Sequence, residues 1–439
     1  MPELTGYKGK TLTVLSDHKI TIGNTILVKT PEGEYTGILM PRYEFSDDNH
    51  IVIKLKNGYN IGIETDKVVG LESVRDKDEE PNRGEKIKAT IDQNLPKISM
   101  ISTGGTIASK IDYRTGGVRA ALTAEELYTA VPELSNYAKI DSEVLFSEYS
   151  ENLSPKHWSE MAKKVYEKIH DGYDGIVLTH GTDTIHYSAA ALSFALNNVP
   201  IPVVLVGAQR SSDRPSSDAA LNLIGATQFA SRADVAGVFV AMHNSTSDNV
   251  VAVHVGTRLR KNHTSSRDAF ESINLSPAAF VNSESIEIQL DFLPKRKKLD
   301  MFEVKPNFEE KVALLKYHPG MDGTVIEHLI NLGYRGLVIE GTGLGHVGRQ
   351  CFNALRKTIE HDMLVCMSSQ CIWGTVRMTV YETGRDLLNI GIIPLSDMIG
   401  ETALVKTMWA LGNSNDNEEA KDLILKNIAM EYSNVTPFD

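Results

Sequence analysis

The chain has 439 residues, enough for two or three domains with substantial hydrophobic cores. It is 41% hydrophobic and 23% charged, as globular proteins are, and its apolar runs are too short to cross a membrane. A net charge of −12 argues against a protein that binds nucleic acid without a partner. Three cysteines cannot form a paired disulfide framework. Because residues 1–10 are polar, without an apolar signal core, we expect a cytoplasmic protein.

The first part of the chain, residues 1–71, predicts a small all-β barrel domain. Two runs of alternating apolar residues, 51–55 and 59–63, flank Asn57-Gly58, and such a pair between alternating runs is a strong hairpin signal. A second turn, Pro31-Glu32-Gly33, separates two further short apolar runs. Several short strands at this spacing are typical of a small barrel.

A charged segment over residues 72–96 is poor in apolar residues and predicts a solvated linker. From Lys97 onward, continuous apolar runs alternate with helical patterns, which indicates parallel sheets covered on both faces. We therefore predict an α/β fold of two parallel-sheet domains after the barrel. The predicted bounds are 97–292 for the first α/β domain, 293–311 for a connector and 312–439 for the second α/β domain, with helical periodicity in the tail over 422–432.

Two threonine-containing turns, 103–108 and 179–184, each follow an apolar run and precede a helical pattern. Ligands of parallel sheets bind beyond the carboxyl ends of the strands, so both turns are expected at one sheet edge. Gly105 and Gly181 let the backbone approach a ligand, and helix N-termini supply N–H donors for a carboxylate or an oxyanion. A purely structural turn and a phosphate site are the alternatives, but the lysine of a P-loop and the spacing of a dinucleotide fingerprint are missing. The two turns predict an amidohydrolase.

A threonine hydroxyl attacks a carbonyl only when a base removes its proton. Lys261, in a basic run that follows a predicted strand, is the candidate base. Asp183, next to Thr182, could orient this lysine or hold the ammonium group of a substrate. His180 precedes a glycine in the turn and is expected to be a structural hydrogen-bonding group, whereas His186 is expected one turn into the following helix.

The two turns resemble the two signature motifs of the bacterial-type L-asparaginase family. The matching segments are Thr103-Gly104-Gly105-Thr106-Ile107-Ala108 and His180-Gly181-Thr182-Asp183-Thr184. The resemblance extends from Lys97 to the C-terminus and includes the two-domain layout.

The resemblance implies a role for each matching residue. Thr106 would be the nucleophile that attacks the side-chain amide. Thr182, Asp183 and Lys261 would form a second group that polarises or relays protons. Tyr113 is the nearest match to the tyrosine that assists the nucleophile in the family, although it comes earlier in the chain than in many members.

The resemblance also implies a substrate-binding segment. Ser147 and Glu148 match the residues that bind the α-carboxylate and α-amino groups, with Gly105 and Gly181 lining the site. The family often has a glutamine where this chain has Glu148, so the contacts to the amino group are expected to differ. No metal is implied.

Simple asparaginases lack the N-terminal barrel, and the combination resembles the D subunits of archaeal glutamyl-tRNA(Gln) amidotransferases. This second resemblance implies that the chain releases ammonia from glutamine or asparagine and binds no cofactor itself. A partner E subunit would use ATP and Mg²⁺, hold most of tRNA(Gln) and convert Glu-tRNA(Gln) to Gln-tRNA(Gln). A homodimer of this chain within a heterotetramer is expected. The alternatives are a free-standing cytoplasmic L-asparaginase and a non-catalytic amino-acid-binding module, and the intact set of site residues argues against the second.

Overall fold

The secondary structure is described by a computed structural model over residues 4, 6–42, 47–55, 60–74, 94–105, 109–112, 117–120, 127–128, 131–210, 217–247 and 249–433. Numbered in chain order over these ranges, the α-helices are α1 Gly9–Asp17, α2 Pro155–His170, α3 Ile185–Ala195, α4 Ala219–Arg232, α5 Thr324–Asn331, α6 Phe352–Glu360, α7 Glu382–Ile390, α8 Gly400–Gly412 and α9 Asn417–Leu425. The strands are β1 Thr25–Thr30, β2 Gly33–Leu39, β3 His50–Leu55, β4 Asn60–Glu64, β5 Gly70–Ser73, β6 Lys97–Gly104, β7 Ser109–Asp112, β8 Gly117–Ala120, β9 Lys139–Glu148, β10 Gly175–Thr179, β11 Leu196–Asn197, β12 Pro202–Val206, β13 Gly237–His243, β14 Val251–Val255, β15 Leu259–Lys261, β16 Phe270–Ser272, β17 Ala279–Val281, β18 Ile286–Ile288, β19 Glu303–Val304, β20 Val312–Lys316, β21 Gly336–Gly341, β22 Leu364–Ser369 and β23 Ile393–Pro394.

The N-terminal unit is an antiparallel sheet with the strand order β4-β3-β2-β1-β5. The predicted pairing across Asn57-Gly58 is present, since β3 pairs with β4, although the turn itself lies outside the described residues. The prediction of β structure throughout was wrong at Gly9–Asp17, which form α1. Thr11 and Leu15 lie four residues apart on its buried face, so packing overrides the strand preference of the β-branched residues in this segment.

The central layer is an eight-stranded sheet with the order β18-β17-β14-β13-β12-β10-β6-β9. Strands β13, β12, β10, β6 and β9 run parallel to one another, in agreement with the predicted parallel sheet. Strands β14, β17 and β18 extend this sheet antiparallel and were not predicted. The residues of β10 and β12 are buried throughout, which explains their continuous apolar sequences.

Helix α2 shows how sequence signals place a helix on this sheet. Ser154 caps its first turn together with His157, and Pro155 occupies the first helical position. Its buried residues recur at helical spacing and form one apolar stripe against the sheet, namely Trp158, Met161, Ala162, Val165 and Ile169.

A second parallel sheet follows with the order β20-β21-β22-β23. One continuous apolar core joins this sheet to the central one through α3 and α8, where the rings of Phe194 and Trp409 stack at 5.8 Å. The helical tail predicted over 422–432 was wrong, because α9 ends at Leu425 and the chain then turns back over α8. The domain bounds stay a prediction.

No helix within the described ranges is both long enough and apolar enough to span a membrane.

Candidate active site

The two threonine turns lie side by side, because β6 and β10 are neighbouring parallel strands. Thr103 Oγ1 donates a hydrogen bond to the Thr179 carbonyl at 2.8 Å, which joins the two strand ends. Gly105 has φ +80°, and a Cβ there would stand 2.7 Å from the His180 carbonyl, so the turn backbones are in contact and glycine is required. Thr106, which follows directly, lies outside the described residues, as does Tyr113.

The second threonine turn, residues 179–184, is held in place by a chain of buried hydrogen bonds. Trp158 Nε1 donates to Ser188 Oγ at 3.0 Å, and Ser188 Oγ lies 2.8 Å from His180 Nε2. His180 Nδ1 lies 2.7 Å from the Gly181 carbonyl and must therefore carry the proton that it donates, which leaves Nε2 to accept from the serine hydroxyl. This arrangement orients the peptide immediately before Thr182 and makes His180 a structural group, as predicted.

The predicted lysine reaches the second turn. Lys261 ends β15, and its Nζ donates to Thr182 Oγ1 at 3.0 Å and to Asp183 Oδ1 at 2.7 Å. The Lys261 side chain is only 9% exposed, whereas that of Asp183 is 68% exposed. A neutral amine in this position can take a proton from the threonine hydroxyl, while the carboxylate holds the amine in place.

The end of β9 completes the same sheet edge. Glu148 pairs with Gly104 across a bulge in the ladder, and a Cβ at Gly104 would overlap the Glu148 carbonyl. Ser147 and Glu148 are both exposed. A Cβ at Gly181 would stand 2.8 Å from Ser150 Cβ, so the segment after β9 packs directly against the second turn.

Burial keeps both histidines near the turns uncharged. It lowers the pKa of His180 to about 4 and, together with the positive charge of Arg260, lowers the pKa of His186 to about 3. His186 lies in the first turn of α3. Neither imidazole therefore adds a charge beside Thr182, whose hydroxyl is contacted by the Lys261 amino group. Within the part of the chain that the structure describes, His, Cys, Asp and Glu side chains do not gather in threes as a metal site.

Sequence reasoning missed the residues that support the site from behind. Ser188 and Trp158 hold the second turn, and Arg260 lies between His186 and Glu401. The sequence around these residues did not indicate a role for them, because the alanine-rich helix that contains Ser188 and the basic run that contains Arg260 are both common patterns. The adjacency of Arg260 to the candidate lysine was the one available indication.

The arrangement of two glycine–threonine turns and one lysine at the carboxyl edge of this α/β sheet defines an asparaginase-like amidohydrolase. Models of three known domain families match successive parts of the chain. They are "Asparaginase, N-terminal" over residues 97–293, "Glutaminase/Asparaginase C-terminal domain" over residues 311–424 and "GatD N-terminal domain" over residues 20–74.

Relatives match over nearly the whole chain. The glutamyl-tRNA(Gln) amidotransferase D subunit of Pyrococcus furiosus is 48% identical and that of Thermococcus kodakarensis 46% identical, with 97% or more of each chain covered. The chain therefore belongs to the family of glutamyl-tRNA(Gln) amidotransferase D subunits.

Solved structures match the α/β part. The L-asparaginase of Thermococcus kodakarensis superposes with a TM-score of 0.70 at 34% identity, covering 77% of this chain and 100% of its own. L-asparaginase I of Vibrio cholerae gives a TM-score of 0.67 at 26% identity, covering 77% of this chain and 99% of its own.

Proposed function

We propose that the chain is the amidohydrolase subunit of a tRNA-dependent amidotransferase. It releases ammonia from glutamine or asparagine, and a partner subunit uses this ammonia to convert Glu-tRNA(Gln) to Gln-tRNA(Gln). The observation that carries the chemistry is the contact of Lys261 with Thr182 and Asp183 where the two threonine turns meet. The N-terminal unit matches the GatD N-terminal domain, and the amidotransferase relatives align with nearly the whole chain, this unit included. Both observations support a role in the synthesis of Gln-tRNA(Gln) rather than in the degradation of asparagine.

In the proposed mechanism Thr106 attacks the side-chain amide carbon of the substrate. Lys261, acting as a neutral amine held by Asp183, accepts the Thr106 proton through Thr182 and returns it to the departing ammonia as the tetrahedral intermediate collapses to an ester on Thr106. Water then attacks this ester, which releases the amino acid with a side-chain carboxylate and restores the Thr106 hydroxyl. Backbone N–H groups of the glycine turns stabilise the oxyanion that forms on the amide oxygen. Tyr113 assists Thr106.

Substrate recognition is assigned to the end of β9. Ser147 and Glu148 bind the α-carboxylate and α-amino groups, and Gly105 and Gly181 line the pocket without side chains that would block it. Glu148 is exposed and its carboxylate attracts an ammonium group, which fits the amino end of an amino acid.

The partners follow from the same proposal. An E subunit holds most of tRNA(Gln) and binds ATP and Mg²⁺, so this chain needs no cofactor of its own. Two copies of this chain form a dimer within a heterotetramer that works in the cytoplasm. The net charge of −12 fits this division, because an acidic chain leaves the phosphate contacts to its partner.

The chemistry is tested by removing the lysine. We expect Lys261→Met and Thr106→Ala each to lower amide hydrolysis by about 100-fold or more, because each takes away a proton-transferring or attacking group. Lys311→Met is the matched control, since Lys311 Nζ donates to the Leu332 carbonyl at the surface. Full activity of either site variant would refute the assignment.

The physiological role is tested with the complete complex. Ammonia release from glutamine is measured for this chain alone, with the second amidotransferase subunit, and with that subunit plus Glu-tRNA(Gln). We expect release to be low alone and to rise with the partner and the charged tRNA. Fast turnover of asparagine by the chain alone, unchanged by tRNA, would instead support a free-standing asparaginase.

A further inference from the structure

The segment that leads into β15 is bonded to the C-terminal unit, by which we mean residues 312–433. The Thr257 carbonyl accepts a hydrogen bond from Thr402 Oγ1 of α8 at 2.8 Å. Thr257 Oγ1 in turn donates to the Ala429 carbonyl at 2.8 Å, in the tail formed by residues 426–433. Thr257, two residues before the strand, is therefore attached to α8 and to the tail of the C-terminal unit.

Arg258 continues this attachment inside the protein. Its Nη1 donates to Asp397 Oδ2 at 2.9 Å, and both side chains are only 2% exposed. Its Nε donates to the Met430 carbonyl at 2.7 Å and its Nη2 to Ser433 Oγ at 3.0 Å. All three guanidinium nitrogens thus have acceptors in the C-terminal unit, which is how a buried charge is tolerated.

Arg260 and Lys261 face opposite sides of β15, as neighbours in a strand do. Lys261 reaches Thr182, whereas Arg260 Nη2 lies 3.3 Å from Glu401 Oε1. Glu401 is in the first turn of α8, where the helix dipole favours its negative charge, and its side chain is 10% exposed. The strand is therefore held between the threonine turn on one side and α8 on the other.

The second strand of the hairpin is attached as well. Asn274, just beyond β16, donates from Nδ2 to the Asp397 carbonyl at 3.1 Å and to the Gly374 carbonyl at 3.2 Å. The Gly374 amide donates back to Asn274 Oδ1 at 2.9 Å. Since β15 and β16 have three residues each, the hairpin has little stability of its own and depends on these contacts for its place.

We propose that Arg260 and Glu401 are positioning residues for amide hydrolysis, through which the C-terminal unit sets the distance between Lys261 Nζ and Thr182 Oγ1. The proposal rests on the proposed function, since it assumes that Lys261 serves the reaction. The Arg258–Asp397 pair anchors the hairpin in the core, and the Arg260–Glu401 pair sets its final position next to the lysine. A lysine displaced by about 1 Å loses much of its value for proton transfer.

The test compares Arg260→Met, Glu401→Gln and the double variant, each in the full-length chain purified with the second amidotransferase subunit. We expect each single variant to lower kcat for glutamine hydrolysis by about 10-fold while KM stays unchanged, because the substrate-binding residues are untouched. If the two residues act through one ion pair, the double variant loses no more than the more affected single variant.

Glu327→Gln is the matched control, because Glu327 pairs with Lys357 at 2.7 Å in the same unit, away from the hairpin. It should leave kcat unchanged. Should Glu401→Gln fold poorly, as judged by its melting temperature, Arg260→Met decides the question, because the Arg260 side chain is 28% exposed and is the more accessible member of the pair.

Wild-type kcat in Arg260→Met, or additive losses in the double variant, would overturn the proposal. If the proposed function is wrong, Lys261→Met retains activity. If only the positioning proposal is wrong, Lys261→Met loses activity while the Arg260 and Glu401 variants keep the wild-type kcat.

Discussion

The Ser188 hydroxyl joins two buried nitrogen atoms, Trp158 Nε1 and His180 Nε2. Ser188→Ala leaves both without a partner, and each buried unpaired group costs about 1 to 3 kcal/mol. We expect the free energy of unfolding, measured by urea titration, to fall by about 3 kcal/mol. Ser193→Ala on the same helix is the control, since that hydroxyl donates only to the Ala189 carbonyl of its own helix. Equal losses in the two variants would contradict the role given to Ser188.

Gly207 follows β12 directly beside the second threonine turn. A Cβ there would stand 2.8 Å from Thr182 Cγ2 and 2.9 Å from the His180 carbonyl, both closer than normal contact. Gly207→Ala should therefore displace Thr182 and lower the rate of amide hydrolysis by about 10- to 100-fold, as measured by ammonia release. Gly62→Ala is the control, because its Cβ would come no closer than 3.7 Å to a neighbour. Activity near that of the control would show that the turn tolerates the shift.

The tail over residues 426–433 is held to α8 by a buried ion pair between Lys406 and Glu431. Burial lowers the pKa of Lys406, and the Glu431 carboxylate opposes this shift. The carboxylate also accepts hydrogen bonds from the backbone amides of Ile428 and Ala429. The element thus depends on one side chain for both its charge balance and its turn.

Glu431→Gln should lower the free energy of unfolding by about 3 to 5 kcal/mol, since it leaves the buried Lys406 without a counter-charge. Glu418→Gln is the matched control, because its pair with Lys421 is at the surface, and its loss should stay below about 0.5 kcal/mol. Thermal melting of both variants beside the wild type gives the comparison. A small loss in Glu431→Gln would mean that Lys406 is already neutral in the native state.

At the scale of the whole molecule, buried histidines make stability depend on pH. Burial lowers the pKa of His180 and His254 to about 4 and is the main cause that lowers the pKa of His186 to about 3. The unfolded chain, with histidine pKa values near about 6.5, binds more protons than the native state below that pH. The contribution of these histidines to the free energy of unfolding is therefore fully present above about pH 6.5. It falls as the pH drops toward about 4, by about 1.4 kcal/mol per pH unit for each histidine.

Urea titrations between about pH 7 and pH 5 check this dependence. His254→Gln removes one of the three titrating groups and should make the decline less steep. His361→Gln is the control, because His361 is exposed in the native state. The same slope in the wild type and in His254→Gln would contradict the assignment of the acid sensitivity to buried histidines.

The sequence predicted most of the central sheet and the meeting of the two threonine turns at one of its edges. Apolar strands followed by glycine–threonine turns carry a local signal, and so the strands β6, β10 and β12 were anticipated. The helix α1 and the antiparallel strands β14, β17 and β18 were not, because short segments take their form from tertiary packing rather than from their own periodicity.

The candidate site was predictable only in part. Thr182, Asp183 and Lys261 were singled out by sequence, and the structure brings them together, whereas their roles stay a proposal. The supporting contacts of Arg258 and Arg260 join residues more than 100 positions apart. No spacing rule covers such pairs, and only the folded chain shows them.

The attachment of Thr257 and Arg258 to Ala429 and Met430 has a consequence for synthesis on the ribosome. The residues that are joined lie 172 positions apart in the chain. The strand that bears Lys261 emerges long before the segment that holds it. While translation continues, the segment that leads into this strand therefore lacks its contacts with the tail, which can form only after Ala429 and Met430 have been added.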